Sequence, residues 1–515
     1  MPRAATHPPS ASTPGRLRPA WLGVLLLLTL AAHVCYRLST NAADPDLWGL
    51  MSFGRLWLEG GAFPWRDPFA YTPTRVPWVY HEWLSGTLFY LLWRTGGPAA
   101  LQGLKYALGL GTAAVIYAAA RRGGASRPAA ALVLLLCDAA FTLGYSPVRA
   151  QVFTFLGLGL TLLALVEARR RASPRPLAWL VPLYALWANL HAGFLAGVGV
   201  MLLWALGRSL REGRVAWGWF LAAAACGLVS LLNPYGPAYW RYLGEAVLMP
   251  RAEIGEWRPL WEELAAGRVG GQVYYLVMVG LAGLVCWWDR SQRDWPAWLV
   301  LAATAWLGVR HLRHQVLFLL AAVALLAPAA GRFAAVVGGR LPAGRLGRVF
   351  SPPVAALALA VLLGWSLWGL AAGEPLALKL PSRPAGARLY YPLGAIRFLE
   401  ARGWRGRLLP RLEWGEYVLW RLGGRVQVGM DGRYETVYPP EVIRAYSAFM
   451  YGRRGWRELL RRWPPEAVLV RPTDAPARLL AGEPGWREVY RDPGAVLWMR
   501  QRRTPPGSAA PPPPG

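Results

Sequence analysis

Between Trp21 and Leu370 the chain returns repeatedly to apolar blocks of roughly 16–22 residues, the length a helix needs to cross a bilayer. That recurrence constrains the fold more than any other feature. A chain that is 55% hydrophobic and 16% charged falls well short of the roughly 25% charged residues of a soluble domain. A soluble multi-domain enzyme is excluded, and so is a secreted protein with one cleaved signal, because apolar blocks continue long after the first. Cys35, Cys137, Cys226 and Cys286 all sit in apolar segments, too scattered for a metal site or a disulfide framework.

The formal charge is +28, and Lys105 and Lys379 are the only lysines among 56 basic residues. The arginines give the orientation. Arg3, Arg16 and Arg18 precede the first span, 20–37, which sets the amino end in the cytoplasm. Trp83–Trp93 is too short to cross and suits a helix at the interface. The later spans are then 99–120, 128–145, 150–167, 176–190, 192–207, 216–232, 272–288, 295–310, 315–331 and 353–372. Alternation places Arg121, Arg122 and Arg127, then Arg169 to Arg171 with Arg175, then Arg208, Arg211 and Arg214, inside. Arg290 and Arg293, and Arg332, Arg340, Arg345 and Arg348, follow on the same side. The fold class is therefore an α-helical polytopic membrane protein of about eleven spans with a C-terminal extracytoplasmic α/β domain. Its divisions are a cytoplasmic tail, 1–19; a membrane domain, 20–372, with a large first outer loop, 38–82; a soluble domain, 373–503; and a disordered Pro-rich tail, 504–515. In the soluble part, Val426–Met430 and Ala467–Val470 read as strands, and Leu393–Arg402 and Glu441–Tyr451 as helices.

Polar residues gather on the outer face. The first outer loop contains Asp44-Pro45-Asp46, and a carboxylate there suits a general base for an acceptor hydroxyl or a ligand for a divalent cation. Asp44 before Pro45 equally fits a helix N-cap, which would set Asp46 in a first turn whose dipole favours its ionised form. Arg149 occupies the short outer turn Ser146–Gln151, and Asn189 and His191 lie at the outer ends of adjacent spans. Asn233-Pro234-Tyr235-Gly236 opens a loop containing Glu253, Glu256 and Trp257. Arg310, His311, Arg313 and His314 form a basic outer turn suited to a lipid phosphate, since guanidinium groups present paired planar donors. Each has a plainer reading, as headgroup contact, helix packing or turn. Asp431-Gly432-Arg433 reads as a structural turn with an Asp–Arg pair or as a binding loop, and Trp414, Trp456, Trp463, Trp486 and Trp498 as core or as sugar platforms.

Several of these segments together resemble a known family. The Asp44-Pro45-Asp46-Leu-Trp48 entry, the Asp67-Pro68-Phe69 turn and the Trp78-x-x-His81-Glu82-Trp83-Leu84 exit are similar to those of the GT-C membrane glycosyltransferases, including bacterial lipopolysaccharide-core and protein mannosyltransferase-like proteins. Leu186-Trp187-Ala188-Asn189-Leu190-His191-Ala192-Gly193 and Gly415-x-Tyr417 with Asp431-Gly432-Arg433 extend the resemblance over most of the chain. The resemblance implies an inverting transferase using a polyprenyl-phosphate-linked sugar, with Asp46, and Asp44 second, as the catalytic acidic residue. Joint placement on the outer face beside the acidic loop makes Arg149, Asn189, His191, Arg310, His311, Arg313, His314, His81 and Glu82 candidate substrate or phosphate contacts. The partners are that donor, membrane lipids and an acceptor glycan, lipid or protein, in the cytoplasmic (inner) membrane, with no nucleic acid. Where relatives read Asp-x-Asp-Leu-Trp-Trp-His, this chain has Gly49-Leu50 after Trp48. A magnesium or manganese ion would have to be held by Asp44, Asp46 and His81, with Glu82 available. The alternative function is a non-catalytic lipid or glycan carrier, flippase or scaffold of envelope glycan assembly. Carriers place polar groups near the midplane in related halves, and this sequence does neither.

Overall fold

The computed structural model describes residues 20–145, 148–249, 251, 254–340, 351–382 and 390–501. The tails 1–19 and 504–515, and Ser146, Glu253, Arg345 and Arg348, lie outside the described residues. Every apolar block expected to span is a helix. In chain order these are α1 (Ala20–Leu38), then α2 (Pro45–Gly60) in the first outer loop, α3 (Trp83–Arg122), α4 (Arg127–Leu136), α5 (Ala139–Tyr145), α6 (Gln151–Arg170), α7 (Leu180–Leu190), α8 (Phe194–Glu212) and α9 (Trp217–Leu228). There follow α10 (Pro237–Leu248), α11 (Leu260–Ala265), α12 (Gly270–Trp288), α13 (Trp295–Arg310), α14 (Gln315–Arg340) and α15 (Pro352–Ala372). Seven helices among the described residues are long and apolar enough to cross a membrane. The pair α4–α5, bent by 50°, makes an eighth. The blocks at 176–190, 216–232 and 295–310 form the shorter α7, α9 and α13.

Two departures from straight helices have local causes. α3 is bent at Gly97, whose φ of 58° no ordinary helical residue adopts, followed at once by Pro98. The bend separates Trp83–Gly96, which packs against α2, from the long apolar segment beyond it. The break between α4 and α5 falls at Asp138, whose carboxylate meets His33 at 2.6 Å and Arg37 at 2.9 Å, both on α1. His33 Nδ1 is 2.9 Å from the Ser366 hydroxyl on α15. Ionisable groups among apolar helices are costly unless paired, and this cluster ties α1, α15 and the α4–α5 break together.

The C-terminal part holds a five-stranded sheet: β1 (Gly406–Pro410), β2 (Val426–Val428), β3 (Ala467–Val470), β4 (Trp486–Arg491) and β5 (Val496–Arg500), in the order β2-β1-β3-β5-β4. β1 runs parallel to β2 and β3, and β5 antiparallel to β3 and β4. The expected strands and helices appear within a residue or two, with α16 (Leu393–Ala401), α17 (Leu412–Leu422) and α18 (Pro440–Met450) alongside. Trp414 and Trp498 are core residues. The sheet does not stand alone. Ala70 pairs in parallel with Val428, extending the β2 edge with a residue of the first outer loop, and Ala42 pairs with Lys379. One apolar core therefore contains Leu47, Trp48, Phe53, Trp78 and Tyr80 together with Tyr391, Trp414, Tyr417, Val428 and Leu469. The helical layer has a separate core running from Leu26 to Ala329.

A candidate active site under the sheet domain

α2 begins where two readings of Asp44 both hold. Asp44 has extended backbone (φ −77°, ψ 144°) and its Oδ1 accepts from the Asp46 N–H at 3.0 Å, with Pro45 as the first helical residue. It is thus the N-cap. Its other oxygen lies 3.9 Å from Nη1 of Arg149, so it also belongs to a cluster of charged side chains. Asp46, one residue into the helix, keeps part of its surface open to solvent, while its carboxyl is set among the charged groups around Arg149.

Arg149 turns inward from the α5–α6 connection rather than out to headgroups. Its Nη2 donates to Glu256 Oε2 at 2.7 Å, and the side chain is 14% exposed. Glu256 takes a second guanidinium on its other oxygen, Arg313 Nη1 at 3.1 Å. Beneath, the Trp257 ring lies between Arg251 at 4.2 Å and Arg313 at 4.6 Å, a double cation–π stack. His311 Nδ1 is 2.7 Å from the Trp257 carbonyl oxygen, so that nitrogen carries the proton and donates. His314 stands edge-on to the same indole. Arg310 leaves this group: it is exposed and stacks on Trp261 at 5.5 Å.

On the adjoining wall, Glu82 lies between two imidazoles, 3.5 Å from His81 Nε2 and 3.4 Å from His191 Nε2. The tautomer of His191 follows from its partners. Its Nδ1 accepts the Gly193 N–H at 2.9 Å and the Thr154 hydroxyl at 2.7 Å, and Thr154 in turn accepts from Trp187 Nε1. The proton is therefore on Nε2, toward Glu82. Burial pushes this imidazole down to about 3, which keeps it neutral. His81 Nδ1 meets the Tyr242 hydroxyl at 3.1 Å. Asn189 is a packing residue: it accepts from Trp83 Nε1 and donates to the Ala185 and Leu232 carbonyls.

The carboxyl groups divide into two kinds. Burial raises Glu256 and Glu82, but Arg149 and Arg313 around the first, and His81, His191 and Arg313 around the second, bring each down to about 2. Burial pushes Asp44 up to about 6, against the pull of Arg149. Asp46 is held well above the usual carboxylate range by its enclosed position and by the Asp44 charge beside it, which outweigh the helix N-terminus.

The sheet domain closes the site with residues that sequence reasoning missed. Glu416 on α17, 2% exposed, accepts the Gly49 N–H of α2 at 2.9 Å. A Cβ on Gly432 would lie 2.6 Å from Glu416 Oε1 and 3.4 Å from Asp46 Oδ1, so both carboxyls border one small gap. The Tyr391 hydroxyl donates to the Ala43 carbonyl at 2.9 Å and accepts from Trp48 Nε1 at 3.0 Å. Arg433 donates to Asp431, as the turn reading expects, and also to Asp67 of the first loop. The available signal was Gly415-x-Tyr417, whose middle residue is Glu416.

Two of the three residues expected to hold a divalent cation are already engaged. Asp44 is committed to its cap and to Arg149, and His81 to Tyr242 and Glu82. Among the described residues no three His, Cys, Asp or Glu side chains form a metal-holding group.

No family model matches the chain, and neither does any curated relative. Solved structures do. The oligosaccharyltransferase AglB of Archaeoglobus fulgidus, in complex with an inhibitory peptide and a dolichol-phosphate, superposes with a TM-score of 0.54 at 12% identity, covering 88% of this chain and 70% of that one. ArnT of Cupriavidus metallidurans in the apo state gives 0.52 at 14% identity, over 93% of this chain and 98% of the other. The fold is GT-C. The mycobacterial arabinofuranosyltransferase AftD agrees, at a TM-score of 0.50 and 18% identity, with 95% of this chain matched to 40% of its own. Within this fold the acidic first loop, Arg149, Glu256 and Arg313 come together.

Proposed function

We propose that this protein is an inverting membrane glycosyltransferase that moves a sugar from a polyprenyl-phosphate-linked donor to a lipid, glycan or protein acceptor at the outer face of the cytoplasmic membrane. What supports the reading is the acidic start of α2, where Asp46, its carboxyl raised above the usual range, follows Asp44, which lies 3.9 Å from Arg149, while Arg149 and Arg313 share Glu256. A base is most effective when its pKa approaches the working pH, and enclosure moves Asp46 that way. In the reaction the acceptor oxygen attacks the anomeric carbon while its proton passes to Asp46. The bond from that carbon to the phosphate oxygen breaks, and the electron pair leaves with the lipid phosphate, whose charge Arg149 and Arg313 offset. The fold likeness to AglB, ArnT and AftD supports the general kind of chemistry.

The test is lipid extraction from a deletion strain. A lipid-linked sugar should accumulate, and the wild-type gene should clear it. Asp46→Asn, nearly isosteric but unable to take the proton, should be expressed normally and clear none; full clearance by this variant removes the catalytic role. Reporter fusions at Gly123 and Ser173 should read cytoplasmic and one after Gln501 extracytoplasmic.

A further inference from the structure

We propose that the groove between α10 and α18 is the acceptor-side site and that it takes an acidic saccharide. The groove is a hollow of about 830 Å³ lined by Arg75, Arg444, Arg453 and Arg454, with Glu245 the only acid on its walls among the described residues. Glu245 is already satisfied by Arg75 at 2.6 Å. Elsewhere in this domain Arg411, Arg421, Arg433, Arg457, Arg471 and Arg491 each face a carboxylate. Arg444, Arg453 and Arg454 have no ion-pair partner among the described residues, and they share one hollow. Like charges gathered around a concave surface raise the local potential and draw in an anion. Planar guanidiniums suit the carboxylate or phosphate of a sugar.

The floor fits the rest of such a ligand. Met249, Ile443 and Ala448 give it an apolar base. At Tyr434, Ile443 and Ser447 it joins a second hollow of about 390 Å³, lined by Tyr446 and Tyr451. Tyr446 is buried, but the exposed Tyr451 ring offers a flat face to a pyranose. The Arg411–Asp474 and Arg471–Glu413 pairs offer fixed donors and acceptors to hydroxyls. The charged unit sits in the first hollow and a neutral sugar in the second.

The groove is also joined to the reaction site. Its Tyr434 wall continues into Glu435, which accepts from Arg251 at 2.5 Å, and Arg251 stacks on Trp257 beneath Arg313. On its other side that wall continues through Gly432, next to Asp46. The assignment of the acceptor rests on the transferase reading, but binding can be read without transfer.

The experiment uses the purified full-length protein in neutral detergent, titrated with a short galacturonic-acid oligomer and with a neutral malto-oligomer of equal length. The acidic oligomer should bind and the neutral one should not. R444Q/R453Q/R454Q should weaken binding more than about tenfold. R402Q/R405Q/R461Q removes three exposed arginines of the same domain outside the groove and should change binding less than about twofold. Equal loss in both triple variants, or none in the first, overturns the proposal. Two further arms identify the anion. Competition by inorganic phosphate at the same concentration as the oligomer, or capture by anionic phospholipid vesicles that the groove variant abolishes, would make this a phosphate or headgroup site and overturn the saccharide assignment. If the oligomer binds as expected while the deletion strain accumulates no lipid-linked sugar, the transferase reading fails and the binding site stands.

Discussion

Arg310 and Arg313 are three residues apart in one basic turn, yet the fold gives them opposite surroundings. Arg313 faces Glu256 and Arg149, whereas Arg310 lies exposed on Trp261. A charge-assisted contact to a phosphate is worth about 1.5–3 kcal/mol, so Arg313→Gln should lower donor use by roughly tenfold or more. Arg310→Gln should leave it within about twofold. Clearance of the accumulated lipid by the two variants separates these outcomes. Glu256 carries a pH signature of its own. Its pKa falls from 4.5 when unfolded to about 2 in the folded protein, so its stabilisation is complete above pH 4.5 and drains away as pH falls through 2. The shift corresponds to about 3 kcal/mol. Thermal midpoints measured across that window should fall for the wild type, and Glu256→Gln should flatten the acid limb while lowering stability at neutral pH, where it strands two guanidiniums. At this scale the sequence showed which residue types belong on the outer face, because arginine, histidine and carboxylates between apolar blocks have few other reasons to be there. It could not show direction. Whether a side chain turns to solvent or into the charged cluster depends on partners such as Glu256 and Trp257, which lie far off in sequence.

Helix α2 holds Asp46 by close backbone packing. A Cβ on Gly86 would fall 2.5 Å from the Leu50 carbonyl oxygen, and one on Gly54 would fall 2.4 Å from that of Gly86. These atoms are main chain and cannot rotate away. Gly86→Ala should therefore cost about 1–3 kcal/mol through overpacking. Gly103→Ala, on the same α3 where nothing lies within 4 Å, should be neutral or stabilising by up to about 1 kcal/mol. Melting of the two variants in detergent tests the difference; equal midpoints would mean that α2 can shift at little cost. The lengths of the apolar blocks revealed the helices well, including the separation of Trp83–Trp93 from the block at 99–120, because block length is local. The acceptance of the Gly49 N–H by Glu416 was not legible, since nothing local distinguishes a helix glycine that faces a distant carboxylate from one that faces lipid.

The whole molecule is less divisible than its composition implies. The change at Glu374 marks a polar segment, but the β2 edge is completed by Ala70, and Trp48 is packed among Tyr391, Tyr417 and Trp420. Residues 373–503 produced alone should expose that apolar face and aggregate or remain molten, whereas co-production with 38–82 tethered by a flexible linker should restore a cooperative melt. A cooperative melt of 373–503 alone would show the shared core to be dispensable. Composition located the boundary in sequence but could not show that two segments more than 300 residues apart fold as one body. The division of the site between them also has a consequence in time. Asp46 emerges early in synthesis and Glu416 late; at 5–20 residues per second the gap is roughly 20–70 s. Throughout that interval α2 lacks its partner helix and the charged cluster at its start is uncovered. On the proposed transferase reading, a chain halted before Glu416 carries the acidic loop without the surroundings that tune it and should be inactive.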